Sequence, residues 1–221
     1  MKEFSIFLRA AALALAALGA ACAPAQAADH HQHRFRDAEK WAQIFDDPAR
    51  DEWQRPQEVI RALALAPDAT VADIGAGTGY FAVRLARAVP QGRVLGVDAE
   101  PDMVRYLEQR ARREGLANLA VQLAAADDPR LPAPVDLVIV VNTYHHLPAR
   151  ERYFRALRDS LKPGGRLAII DYTPESPVGP PKSARIPDAT VRRELARAGY
   201  TLAAEHTFLP YQYFLVFRPQ D

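Results

Sequence analysis

Between Thr70 and Tyr172 the chain alternates short apolar runs with amphipathic ones, and that rhythm leaves few folds open. The runs "TVADIG", "GRVLGVD", "LAVQLA", "VDLVIVVN" and "RLAIIDY" read as strands. The segments "GYFAVRLARAVP", "EPDMVRYLEQRARREG" and "RERYFRALRDSLKPGG" read as helices. The fourth strand is almost purely branched-aliphatic, as a strand buried on both faces must be. Such alternation builds a parallel sheet with helices on both sides, a doubly wound α/β fold. The tail departs from the rhythm. After a loop rich in Pro and Gly, "DATVRRELARAGY" reads as a helix capped by Asp188. Two strand-like runs follow, "TLAAEHTFL" and "YQYFLVFRP", with only a short link near Pro210. A link that short cannot hold a crossover helix, so these strands pair antiparallel. The expected fold is a doubly wound, mostly parallel seven-stranded sheet with an antiparallel C-terminal edge hairpin. Ahead of it, "DAEKWAQIF" and a second helix starting near Pro56 form a helical cap, with Trp41, Ile44 and Phe45 as an apolar stripe.

Parallel sheets deliver ligands at the carboxyl ends of their strands. The stretch "VADIGAGTGYF" places Gly75, Gly77 and Gly79 there, with a helix expected from about Thr78. A dinucleotide loop needs G-x-G-x-x-G; here the third glycine comes one residue early and Tyr80 takes its place. A Walker-type phosphate loop needs Lys followed by Ser or Thr, and neither is present. No residue of the loop carries positive charge. The loop therefore suits an uncharged or cationic adenosine derivative better than a pyrophosphate. Two acids sharpen this reading. Asp73 precedes the first glycine, and Asp98 ends the second strand, where a carboxylate can accept both ribose hydroxyls. Their alternative roles are bracing the loop (Asp73) and capping the helix that starts near Pro101 (Asp98).

"VADIGAGTG" resembles the first motif of class I S-adenosylmethionine-dependent methyltransferases. "GVDAEPDMVRYL", "VDLVIVVNTYHH" and "LRDSLKPGGRLAIIDY" are similar to later parts of that family, and the resemblance runs from about Val59 to Phe217. Small-molecule methyltransferases of the quinone-biosynthesis type look most similar. The resemblance implies S-adenosyl-L-methionine as cofactor and a Rossmann-like fold. It puts Asp73, Gly75, Ala76, Gly77 and Gly79 on the methionine half, and Asp98 on the ribose. Ala99 and Met103 fall near the adenine. Asp127, with Asp128 as an equal candidate, falls where an acid faces the adenine amine. Asn142 borders both cofactor and acceptor.

Methyl transfer from a sulfonium needs alignment, exclusion of water and, for some acceptors, a base. The stretch "NTYHHLPARERYF" leaves the fourth strand at the ligand edge and offers His145 and His146 as candidate catalytic bases. Adjacent residues on a helical turn point about 100 degrees apart, so one of them faces the cleft. Packing or helix capping is the alternative for each. A metal site is not expected, because the pair has no third ligand at a recognisable spacing. Tyr144, Asp171, Tyr172 and Tyr211, and Trp41, Phe45 and Trp53 from the cap, are candidates to shape a pocket for an apolar or aromatic small-molecule acceptor.

With 28 basic residues against 27 acidic ones, a nucleic-acid partner is not expected. The N-terminus reads as a signal peptide over residues 1–27. Lys2 and Arg9 precede an Ala/Leu run, and Ala25 and Ala27 form the small-x-small pattern, with cleavage near Ala27. Cys22 offers lipid anchoring, weakened because Gly19 stands where a Leu-like residue belongs. No later stretch is apolar enough to span a membrane. This divides the chain into 1–27, a polar segment and helical cap over 28–58, and the methyltransferase domain over 59–221. Export to the periplasm or beyond sits awkwardly with a cytoplasmic methyl donor, and the only methionine after Met1 is Met103. The leading expectation is a methyltransferase acting on a small molecule. The alternatives are an exported binding protein that keeps the fold without turnover, and a nicotinamide oxidoreductase.

Overall fold

The computed structural model describes residues 35–128 and 131–220. The signal-peptide reading, Cys22 and the start of the polar segment, residues 28–34, lie outside the described residues. Seven strands form one sheet in the order β3-β2-β1-β4-β5-β7-β6. They are β1 (Thr70–Ile74), β2 (Arg93–Asp98), β3 (Leu119–Leu123), β4 (Val135–Val141), β5 (Leu161–Tyr172), β6 (Tyr200–His206) and β7 (Gln212–Pro219). β1 to β5 pair in parallel, while β7 runs antiparallel to both β5 and β6. The edge hairpin is therefore as expected, and its link is the short segment 207–211.

The alternation of side chains explains why both faces are covered. Val71, Leu137, Ile139, Ala168, Ile170, Phe214 and Val216 point to one face and pack on helices α3 (Pro56–Leu63), α4 (Ala82–Ala88) and α5 (Pro101–Arg113). Ala72, Ile74, Val138, Val140, Leu167, Ile169, Leu215 and Phe217 point to the other. They meet α6 (Arg150–Leu157) and α7 (Asp188–Arg197). β4 is buried along nearly its whole length, which is why its sequence carries almost no polar residue.

In the cap, α3 starts at Pro56 as expected, and a one-turn α2 (Arg50–Gln54) that was not expected precedes it; the two part at Arg55, which takes a left-handed conformation. Pro56 is the cause, because a proline restricts the residue before it away from the right-handed helix. In α1 (Ala38–Phe45), Asp37 is the cap and accepts from the Lys40 amide, while Ile44 stands exposed. Asp188 is not a cap: it is the first residue of α7, makes no capping bond there, and pairs with Arg192.

Candidate active site

The strand order reverses between β1 and β4, and ligands of such sheets sit in the crevice outside that point. The glycine loop spans it. The Val97 carbonyl accepts from the Gly75 and Ala76 amides at 2.8 and 3.1 Å, so β2 holds the loop's start. Gly75 has φ +71°, and a Cβ there would fall 2.2 Å from Thr143 Oγ1. Gly79 has φ +94°, and a Cβ would fall 2.2 Å from Leu107 Cδ1. Both positions combine a left-handed backbone with a neighbour that leaves no room, so both demand glycine. Gly77 lies beneath the Phe45 ring of the cap. Helix α4 starts at Ala82, later than the Thr78 expected from sequence, because the positive φ of Gly77 and Gly79 keeps the intervening backbone in turns.

Asp73 is 2% exposed and its carboxylate accepts from the Ala82 amide, which braces the loop against the first turn of α4. Burial, and then the charge of Asp98, push its carboxyl up to about 7, against the opposing pull of the Ala82 bond and Arg50. Asp98 accepts from the Gly77 amide at 2.8 Å and the Glu100 amide at 2.9 Å, and also from Ala99. Its carboxyl is raised by burial and pulled back by these bonds. An ionised carboxylate has about four acceptor sites, so three backbone donors leave Asp98 able to take another. Among the described residues neither acid has an ion-pair partner. The crevice thus holds two close carboxylates and an uncharged glycine loop, an environment that a cationic ligand would relieve.

Ala99 is exposed at the crevice rim and Met103 is buried beneath it on α5. Asp127 lies in a turn closed by the Ala125–Asp128 bridge. Its side chain is 60% exposed and 3.9 Å from Arg152, so it meets a surface arginine. Asn142 follows β4 with φ +55°, and its amide donates to the Ile170 carbonyl at 2.9 Å.

Tyr144, His145 and His146 form a 3-10 turn, which separates successive side chains by about 120 degrees. The three go to three places. Tyr144 is fully buried, stacks on Phe154 and donates to Glu194 at 2.6 Å, so it belongs to the core between α6 and α7 and not to a pocket wall. His146 is exposed, with Phe35 edge-on at 5.5 Å. His145 turns inward. Its side chain is 4% exposed, and Nδ1 lies 2.9 Å from both oxygens of Asp171, itself 2% exposed. The same carboxylate accepts from the His145 and Tyr172 amides at 3.2 and 2.8 Å. Asp171 can only accept when ionised, so Nδ1 carries the proton and Nε2 is the basic nitrogen. The sequence named both residues, but only as separate candidates. Their adjacency follows from β4 and β5 being neighbours that end at one sheet edge.

The cap adds residues that sequence reading missed. Arg50 lies with its guanidinium 4.0 Å over the Tyr80 ring, and Arg84 sits 4.1 Å from that ring. The Tyr80 hydroxyl donates to Asp51. The residue that breaks the dinucleotide spacing is thus the anchor of α2. Gln54 is fully buried and donates to Gln212 Oε1 at 3.0 Å, while Gln212 donates to Asn142 Oδ1. Trp53 faces Tyr172 at 6.0 Å and Tyr211 at 6.2 Å, and Tyr172 lies 6.3 Å from the His145 ring. Phe35, Trp41 and Phe45 pack together on the other side, beside His146. A polar residue opening the otherwise apolar strand "QYFLVF" was the available signal for Gln212.

Comparison with known proteins agrees with this geometry. Residues 71–165 match the family model for a methyltransferase domain. An arsenite methyltransferase of Halobacterium salinarum is 32% identical over 116 residues, covering 52% of this chain and 30% of its own. A demethylmenaquinone methyltransferase of Thermus thermophilus is 32% identical over 135 residues, covering 60% of this chain and 57% of its own. The chain spans about half the length, or less, of the curated relatives it matches. Among solved structures, a SAM-dependent methyltransferase from Aquifex aeolicus superposes with a TM-score of 0.76 at 28% identity. That match covers 82% of this chain and 97% of the other. Magnesium protoporphyrin IX methyltransferase from Synechocystis, solved with SAM bound, shares the fold with a TM-score of 0.63 at 21% identity. It covers 85% of this chain and 93% of its own. Residues 71–165 thus match a methyltransferase domain, set in a fold that the chain shares with the SAM-dependent methyltransferase from Aquifex aeolicus.

Proposed function

We propose that the chain moves a methyl group from S-adenosylmethionine to an oxygen- or carbon-centred small molecule of apolar or aromatic character. The observation that carries this reading is the buried His145–Asp171 pair, set at the same sheet edge as a glycine loop flanked by two carboxylates. When bound, the cofactor supplies a methyl group on a positively charged sulfur, already activated for displacement. The residues present fit such a group. Asp73 and Asp98 give a cation a favourable field, Gly75 to Gly79 let a ligand lie against the backbone, and Asp98 keeps acceptor capacity for a ribose hydroxyl.

The chain's own work is then positional and protonic. Trp53, Tyr172 and Tyr211 hold the acceptor's ring, and the cap over the loop keeps out water that would compete for the methyl group. Asp171 fixes the His145 ring, so that Nε2 takes the acceptor's proton as the new bond to carbon forms. The positive charge that develops on the imidazole is stabilised by the buried carboxylate. Two relatives are named demethylmenaquinone methyltransferase, and a hydroxylated ring suits the aromatic cluster of Trp53, Tyr172 and Tyr211. Residues 1–27 act as an export signal with cleavage near Ala27, placing the domain of residues 59–221 and its cap outside the cytoplasm. The N-terminal sequence of the processed protein tests that assignment.

The function is tested by incubating the chain with radiolabelled S-adenosylmethionine and a panel of phenols and hydroxyquinones. Label transferred by the wild type and lost in His145→Gln supports the reading. No transfer to any ring, or transfer undiminished in His145→Gln, overturns it.

A further inference from the structure

Four polar side chains run from the cap to the end of β4 in one continuous file. Arg50 Nε donates to Gln54 Oε1, Gln54 Nε2 donates to Gln212 Oε1 at 3.0 Å, and Gln212 Nε2 donates to Asn142 Oδ1. Carboxamides can in principle sit either way round. Here they cannot. A guanidinium has no acceptor, so the Gln54 atom that meets Arg50 must be oxygen. That choice fixes Gln54 nitrogen towards Gln212, Gln212 nitrogen towards Asn142, and Asn142 oxygen towards Gln212. Asn142 therefore turns its Nδ2 hydrogens away from the file, and they have no hydrogen-bond partner among the described residues.

The other end of the file is equally one-sided. Arg50 donates through Nη1 to the Phe45 carbonyl at 2.6 Å, and its ring contact is with Tyr80. Among the described residues it forms no ion pair, although it is largely buried. Burial lowers its pKa, and Tyr172 is foremost among the neighbours that oppose this. Tyr172 is also the ring that faces Trp53 and lies by His145. Asp46 and Asp73 are near enough to act on Arg50 through their charge, but neither is in direct contact with it, so its guanidinium keeps donors for an anionic ligand beside Tyr172.

We propose that this file is the acceptor-recognition element: Arg50 and Asn142 present only donors, and so select an acceptor bearing an anionic oxygen, a carboxylate or ionised hydroxyl, over one bearing an amine. The inference rests on the methyltransferase reading, and it narrows the acceptor's chemistry. An ionised hydroxyl can itself receive the methyl group, whereas a carboxylate serves as a handle that orients the ring.

Benzoate and benzylamine are matched probes of opposite charge. Each is titrated into the full chain saturated with S-adenosylhomocysteine, with the fluorescence of Trp41 and Trp53 as readout. A charge-assisted hydrogen bond contributes roughly 1.5–3 kcal/mol, so benzoate should bind at least about tenfold more tightly than benzylamine. Arg50→Gln should abolish that preference. Asn142→Asp keeps the oxygen that Gln212 uses but replaces the free donor with a carboxylate, so it should weaken benzoate about tenfold or more in a chain that still folds. Arg50→Gln should bind S-adenosylhomocysteine within about threefold of the wild type, less than 1 kcal/mol, and Asn142→Asp is compared at a concentration of it that saturates that variant. Equal or tighter benzylamine binding, no benzoate binding, or an unchanged preference in both variants would overturn the proposal. So would an Arg50→Gln variant that loses S-adenosylhomocysteine but keeps methylthioadenosine, which lacks the amino-acid carboxylate; Arg50 would then serve the donor. If the wild type binds no S-adenosylhomocysteine, the donor reading fails by itself, and titration of the unliganded chain still decides this one.

Discussion

Replacing Asp73 by Asn should make the protein more stable and a poorer binder of its cofactor. Asp73 is almost wholly buried, its main partner is one backbone amide, and its carboxyl is pushed up to about 7 from its ordinary 3.8. The linkage has a definite sign. Below about pH 4 the carboxyl is protonated in both folded and unfolded chains, and it contributes nothing to pH dependence. Between about pH 4 and 7 the unfolded chain sheds the proton while the folded chain keeps it, so stability falls as pH rises. Above about pH 7 the full cost is present. Three units at ~1.36 kcal/mol each amount to about 4 kcal/mol. Asn can still accept from Ala82, but its amide hydrogens need a place, which costs about 1 kcal/mol. The net gain at pH 8 is about 3 kcal/mol, or roughly 6–12 °C in melting temperature for a domain of this size. At pH 5 the gain should shrink to within about 1 kcal/mol of zero, since the unfolded carboxyl has then been ionised across only about one pH unit. Thermal melts of both chains at pH 5, 6.5 and 8 measure this directly. An Asn variant less stable than the wild type at pH 8, or one whose advantage does not grow with pH, would refute the reasoning.

Asp171→Asn should lower stability by roughly 1.5–3 kcal/mol, the worth of a hydrogen bond to a charged group, and methyl transfer by about 10²–10⁴-fold with little change in cofactor affinity. Melts, single-turnover kinetics and calorimetry check the three parts. Gly79→Ala meets Leu107 and a φ of +94° together, so it should cost about 1–3 kcal/mol and disturb cofactor binding; a chemical denaturation curve shows it. Tyr80→Phe removes the bond to Asp51 but keeps the ring between Arg50 and Arg84. It should cost about 1 kcal/mol or less, whereas Tyr80→Ala should loosen the cap, read as faster amide exchange in α2.

Sheet topology was legible because each central strand is buried on both faces and each connection has only one sterically short solution. The C-terminal hairpin followed from a link too short to cross the sheet. The meeting of the glycine loop with the acid that ends β2 was legible too, since both lie close in sequence to the elements that aim them. What sequence did not reveal lies in contacts across long separations. His145 and Asp171 were both named, yet nothing local says that one ring nitrogen meets both carboxylate oxygens. Tyr144 is adjacent to His145 and has the composition of a pocket residue, but a 3-10 turn sends it into the core. Gln54 and Gln212 are 158 positions apart, and each alone reads as an ordinary polar residue at the end of an element. Asp127 matched a motif position, and the fold turns its carboxylate to Arg152 at the surface.

The measurement that bears most directly on the whole reading is a calorimetric titration of the full chain with S-adenosylhomocysteine, S-adenosylmethionine and NAD, repeated on Asp98→Ala. Binding of the first two with no heat from NAD, weakened at least about tenfold in the variant, is the expected result. Binding of NAD alone, or equal affinity in Asp98→Ala, would contradict it.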